Sequence, residues 1–191
     1  MTGPRRSSFR ANQVTYAAVG VTQDPDVLRF PPVGFHARRN ERRIGSGPDR
    51  FAAASADLLN GAFFERAGLD AMTAQGERLS VEALRLESPT VRLANVWWPM
   101  NVVRDFRVIY AVREERRVAF ALGTLTEWPL SGEESFVVEW REDDTVWSQV
   151  TTVTQLNSHW SIKLIAPLVR LREHLLRIRY TRALNPVKSA T

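Results

Sequence analysis

The sequence predicts an α+β fold in which a curved antiparallel β-sheet wraps a long C-terminal helix within a single domain. Three observations carry this expectation. Residues 105–154 alternate apolar and polar side chains with a period of two, interrupted by short polar turns, which is the signature of consecutive antiparallel strands. Residues 159–184 repeat leucines at helical spacing. A length of 191 residues, 44% of them hydrophobic, suits one core.

Taken in order, residues 1–12 (MTGPRRSSFRAN) are polar and basic and read as a disordered arm. Their two adjacent arginines have no apolar run behind them, so no signal peptide is expected from them. Residues 14–22 (VTYAAVGVT) form a short apolar segment, either an edge strand or a packed turn. Residues 30–35 (FPPVGF) are a rigid, non-helical connector, because proline fixes φ and holds its predecessor extended. The charged run 38–43 (RRNERR) reads as a solvated turn.

The first strong helix follows, with Ser46 or Gly47 as its cap and Pro48 at its first position, where a missing N–H is harmless. Phe51, Ala54, Leu58, Leu59, Ala62 and Phe63 give it one apolar face, and Gly68 ends it. Gly45-x-Gly47 lacks the clear preceding parallel strand, the third glycine and the downstream βαβ unit of a dinucleotide fingerprint, so these glycines read as capping residues. Residues 69–73, 81–86 and 90–98 are extended, with a turn at 87–89. The adjacent Trp97 and Trp98 face opposite sides of their strand, one toward the core and one toward a rim.

In the meander, Phe106, Val108, Tyr110 and Val112 share one face. Val118, Phe120, Leu122 and Thr124 share another, with small residues Ala119, Ala121 and Gly123 opposite, where a neighbouring element can approach closely. Residues 126–134 (TEWPLSGEE) read as a longer loop, and 135–140 and 145–154 as the last two strands. On the C-terminal helix, Leu164, Leu168, Leu171, Leu175 and Ile178 form an apolar stripe, widened by Ile165, Val169, Leu176 and Tyr180, read as the core face. Lys163, Arg170, Glu173 and Arg177 lie away from it, and Pro167 either kinks the helix or begins it. The folded domain is set at 13–185 and the tail at 186–191.

Composition narrows the function classes. With no cysteine and only His36, His159 and His174, disulfides, thiolate nucleophiles and a metal centre are not expected, and no cofactor is. The net charge of +5 is almost all an arginine excess over 21 acidic residues, a bias of composition more than a nucleic-acid footprint. No stretch approaches the roughly 18 apolar residues of a membrane span, and the location expected is cytoplasmic. Oligomeric state is left open.

Several motifs then combine. Val14-Thr15-Tyr16 with Val19-Gly20, Pro31-Pro32, Gly45-x-Gly47, Arg107-Val108-Ile109-Tyr110, Gly123-Thr124-Leu125, Gly132-Glu133-Glu134 and Val146-Trp147 stand in an order that resembles the bacterial and plant domain-of-unknown-function family nineteen-ninety. The resemblance covers nearly the whole chain, residues 14–184. It departs at Leu122, where the family usually has tyrosine, and at Trp128, where it usually has histidine. Element order is also similar to the START-like, helix-grip arrangement, which implies a cavity between sheet and terminal helix.

The first functional expectation is a binding module for a small apolar ligand, lined by Trp97, Phe106, Tyr110, Phe120, Leu122, Thr124, Trp140 and Leu168. The same residues could instead interlock as a dry core. An alternative is an enzyme using Glu133 or Glu134 as acid or base, although a bond from one of them to backbone N–H groups of its own loop is the simpler role. A third is an interaction protein or nucleic-acid binder using Arg38, Arg39, Arg42, Arg43 and the C-terminal arginines.

Overall fold

The computed structural model describes residues 14–73, 76–79, 90–95, 103–127 and 129–186. The expected arm at 1–12, the strand at 81–86, the turn at 87–89, Trp97, Trp98, Trp128 and most of the tail lie outside these residues.

Among the described residues seven strands form one antiparallel sheet: β1 (His36–Ser46), β2 (Leu69–Thr73), β3 (Thr90–Asn95), β4 (Val103–Arg113), β5 (Arg117–Thr124), β6 (Leu130–Trp140) and β7 (Thr145–Leu156). Their order across the sheet is β1-β7-β6-β5-β4-β3-β2. Strands β2 to β7 are a meander, and β1 joins its far side by pairing with β7. Helices α1 (Pro48–Leu59) and α2 (Ala62–Arg66) connect β1 to β2, and α3 (Trp160–Ala183) ends the fold. The sheet gripping a long terminal helix is the helix-grip arrangement expected.

The charged run 38–43 is part of strand β1 and not a turn. It is an edge strand, and charged side chains on an edge keep it from recruiting another sheet. The charges are also dispersed by alternation. Arg39 donates to Thr151 at 3.0 Å, Arg42 to Asn185 at 3.2 Å, and Glu41 pairs with Arg141 at 3.1 Å.

The helix expected from Pro48 to Gly68 is two helices. Gly61 adopts a left-handed φ of 78°, which breaks the first helix while Asn60 Oδ1 caps the second by accepting from the Ala62 N–H at 2.9 Å. The break aims Phe63 and Phe64 together into the space beneath α3. There they meet Phe120, Phe136 and Tyr180 with ring centroids 5.0–6.2 Å apart, in the tilted and edge-on packings aromatic rings favour.

Two further expectations fail for local reasons. Strand β4 carries a bulge at Ile109: Val108 pairs with Leu122, but Tyr110 pairs with Ala121. The extra residue reverses the alternation, so Val108 packs on the helix-side core while Tyr110 leaves it for the opposite face. On α3, the stripe Leu164, Leu168, Leu171 and Leu175 faces solvent, and the buried face is Ile162, Val169, Glu173, Leu176, Arg177 and Tyr180. This helix carries two apolar rows, and the one carrying Tyr180 packs in the core. Pro167 lies on the exposed side of a continuous helix, so the hydrogen bond it removes is lost where water can replace it.

Candidate functional site

Glu133 and Glu134 sit inside β6, not in a loop, and both are buried. Their side chains alternate across the sheet. On the outer face, Glu133 Oε2 accepts from the Tyr16 hydroxyl at 3.0 Å and the Gly20 N–H at 2.8 Å. Its Oε1 accepts from the Thr22 N–H at 3.0 Å and from the Thr22 hydroxyl. Burial, reinforced by the Glu133 carboxylate, pushes the Tyr16 phenol far above its ordinary value, so it stays a donor. Thr22 also meets the Tyr110 hydroxyl at 2.9 Å, and Thr15 meets Thr124 at 3.1 Å.

Gly123 makes this seat. A side chain there would collide with the Tyr16 hydroxyl and come within 2.7 Å of Ile109 Cδ1. The motifs VTY, VG, RVIY, GTL and GEE thus converge on one network that fastens the N-terminal segment to the sheet. The backbone N–H groups bonded by Glu133 belong to that distant segment, which local sequence reasoning could not identify. All the accepting capacity of Glu133 is engaged, so it is a structural carboxylate.

The helix-side face carries a second group of charges. Glu134 stands opposite Thr152 of β7. Near it, Glu173 of α3 lies 3.7 Å from Arg104 and 3.5 Å from Arg172. Arg104 also donates to the Leu130 carbonyl at 3.0 Å and lies over the Phe106 ring. Glu134 Oε2, Arg104 Nε and Arg172 Nε have no hydrogen-bond partner. They surround a void of about 20 Å³ shared with Leu69, Leu93, Phe106, Leu176 and Tyr180. Burial, helped by the Glu173 charge and opposed by the surrounding arginines, pushes the Glu134 carboxyl up to about 7.

Beside this group a cleft of about 280 Å³ opens between α3 and the ends of β1, β6 and β7. Arg38, Arg170, Arg177 and His36 line it against one carboxylate, Glu173, and Leu130 and Leu156 supply apolar wall. Arg177 is held in place by donating to Asn40 at 3.1 Å and Thr152 at 3.3 Å. Its burial works against its charge, while Glu173 and Glu134 work for it. The chemistry this arrangement supports is the capture of an anionic group by guanidinium donors.

The expected lining residues do not converge on a cavity among the described residues. Phe106, Phe120 and Leu122 are packed in the core. Tyr110 and Thr124 belong to contacts with the N-terminal segment. Trp140 stacks on Phe51 at 6.1 Å, Leu168 is 47% exposed, and Trp97 lies outside the described residues. Sequence reasoning missed Arg104, Thr152, Glu173 and Arg177. For Glu173 and Arg177 the signal was present in the row Ile162-Val169-Leu176-Tyr180-Ala183 of α3, which carries both inward with it. Among the described residues no cluster of metal-ligating side chains occurs.

Comparison with known proteins agrees with this architecture. The family model described as "Domain of unknown function (DUF1990)" matches residues 15–183. No match is found among curated proteins. Among solved structures, the chain is similar to hypothetical protein jhp0584 from Helicobacter pylori, at 10% identity over 90% of this chain and 96% of that one, with a TM-score of 0.57. It is also similar to TTHA0849 from Thermus thermophilus, at 16% identity over 78% and 96% of the two chains, with a TM-score of 0.49. Truncated norcoclaurine synthase from Thalictrum flavum gives 12% identity over 81% and 96%, with a TM-score of 0.49. At 10% identity, the likeness to jhp0584 bears on fold alone.

Proposed function

The chain belongs to the DUF1990 family of domains of unknown function, and we propose that it is a binding module for a small amphipathic anion, most simply a carboxylate with a short apolar chain. The observation that carries this reading is the cleft beneath α3, where three arginines and a histidine face a single glutamate and two leucines. A wholly apolar ligand fits less well, because the Phe63, Phe64, Phe120, Phe136 and Tyr180 rings fill the space between sheet and helix. The cleft lies just below the roughly 300–1,000 Å³ of drug-sized pockets, which favours a small ligand. Guanidinium groups bind a carboxylate bidentately, and the leucines remove an attached chain from water. Thermal unfolding with medium-chain carboxylates, compared with alcohols of equal length, tests the reading.

One observation favours a second reading, acid–base chemistry. Glu134 is buried next to the cleft wall formed by Thr152 and Glu173, with its carboxyl pushed up to about 7, near the value a general acid or base needs at neutral pH. Glu133, saturated by four donors, is unsuited to that role.

A further inference from the structure

The exposed face of α3 has a pattern that neither the core nor the cleft uses. Leu164, Leu168, Leu171 and Leu175 are 73%, 47%, 51% and 40% exposed. Their spacing of i, i+4, i+7 and i+11 lays them in one line about 16 Å long on the helix surface. Trp160, 67% exposed, extends the line at its N-terminal end. On the same helix Lys163, Arg170, Arg179 and Arg182 are exposed, whereas its single acidic residue, Glu173, is buried under the sheet's charges. The solvent side of α3 is therefore an apolar ridge with only cationic and neutral polar neighbours on its own helix.

The charge pattern decides what covers the ridge. A second copy packed helix against helix would bring like charges together, since α3 offers no exposed carboxylate to pair with them. A surface that is negative throughout and soft enough to admit leucine and tryptophan side chains satisfies both features. We infer that α3 docks on an anionic phospholipid bilayer, lying flat with Trp160 and its leucines in the interface and its basic residues among the headgroups. No helix among the described residues is long and apolar enough to cross a membrane, so the contact is peripheral. It shares only Arg170 with the cleft, and it leaves the cleft, on the sheet side of the same helix, beside the membrane surface.

Co-sedimentation of the full chain with phosphatidylcholine vesicles, with and without phosphatidylserine, tests the inference. The parent is expected to bind the phosphatidylserine vesicles, to release them as salt is raised, and to bind pure phosphatidylcholine far more weakly. The double variant Leu168→Asp with Leu171→Asp is expected to melt like the parent, because both side chains are exposed, and to lose vesicle affinity by at least about tenfold. Absence of parental binding to phosphatidylserine vesicles overturns the inference, as does binding unchanged in the variant. So does a solution dimer of the parent that the same variant dissolves, which would assign the ridge to a second copy.

Discussion

Glu133 and Glu134 are neighbours in one strand whose carboxylates end on opposite sides of the sheet, one saturated with hydrogen bonds and the other short of them. Glu133 holds Tyr16, Gly20 and Thr22 against the outer face. Glu134 faces Glu173 and a ring of arginines beneath α3, with Oε2 unpartnered. One residue of register thus separates a fastener from a titratable group.

The fastener has a measurable stability. Tyr16→Phe removes one buried hydrogen bond to a charged acceptor and is expected to cost about 1.5–3 kcal/mol. Glu133→Ala strands three residues' donors in a buried place and is expected to cost more, about 3–5 kcal/mol. Urea unfolding of the two variants reads both. Equal stability of parent and Glu133→Ala would contradict the role given to this network.

Glu134 makes stability depend on pH in an unusual direction for a carboxylate. Its folded value, about 7, lies above the ordinary value of 4.5, so between these limits the folded state holds a proton that the unfolded chain has released. Its contribution is fully present below pH 4.5 and is lost as pH rises through about 7. Glu134→Gln, which keeps the shape without the charge, is expected to remove this decline and to equal or exceed the parent's melting temperature at about pH 8. Parallel pH profiles for parent and variant would contradict it.

The filled core can be emptied by one substitution. Phe63 touches Phe64, Phe120, Phe136 and Tyr180, and Phe63→Ala is expected to cost about 3–5 kcal/mol. The space left is apolar, so the variant is expected to take up a neutral aromatic probe that the parent excludes. Thermal unfolding with and without the probe reads both effects, and uptake by the parent would contradict the filled core.

Much of the architecture was legible before the coordinates. The meander from β4 to β7 followed from period-two alternation, and the span of α3 followed from its leucine repeat over 159–184. Gly47 and Pro48 marked the start of α1. What stayed hidden depended on single residues acting at a distance. The bulge at Ile109 turned Tyr110 out of the core, Gly61 divided a helix, and β1 was concealed because a charged edge strand reads locally like a turn. The candidate site was hidden on α3, where the leucines and the row Val169, Leu176 and Tyr180 read as one wide core face. Centring that face on the leucines sent Glu173 and Arg177 to solvent, whereas in the fold they line the cleft.

The binding reading is tested most directly by thermal unfolding with octanoate and with octanol, on the parent and on Arg38→Gln with Arg170→Gln. Both arginines stand on the cleft wall with exposed side chains, so the double variant is expected to fold like the parent. Octanoate is expected to stabilise the parent, by about 2.7 kcal/mol at a hundredfold excess over its dissociation constant, with octanol giving far less and the variant losing most of the octanoate effect. Equal stabilisation by acid and alcohol, or an octanoate effect untouched by the double substitution, would contradict an anion-binding cleft beneath α3.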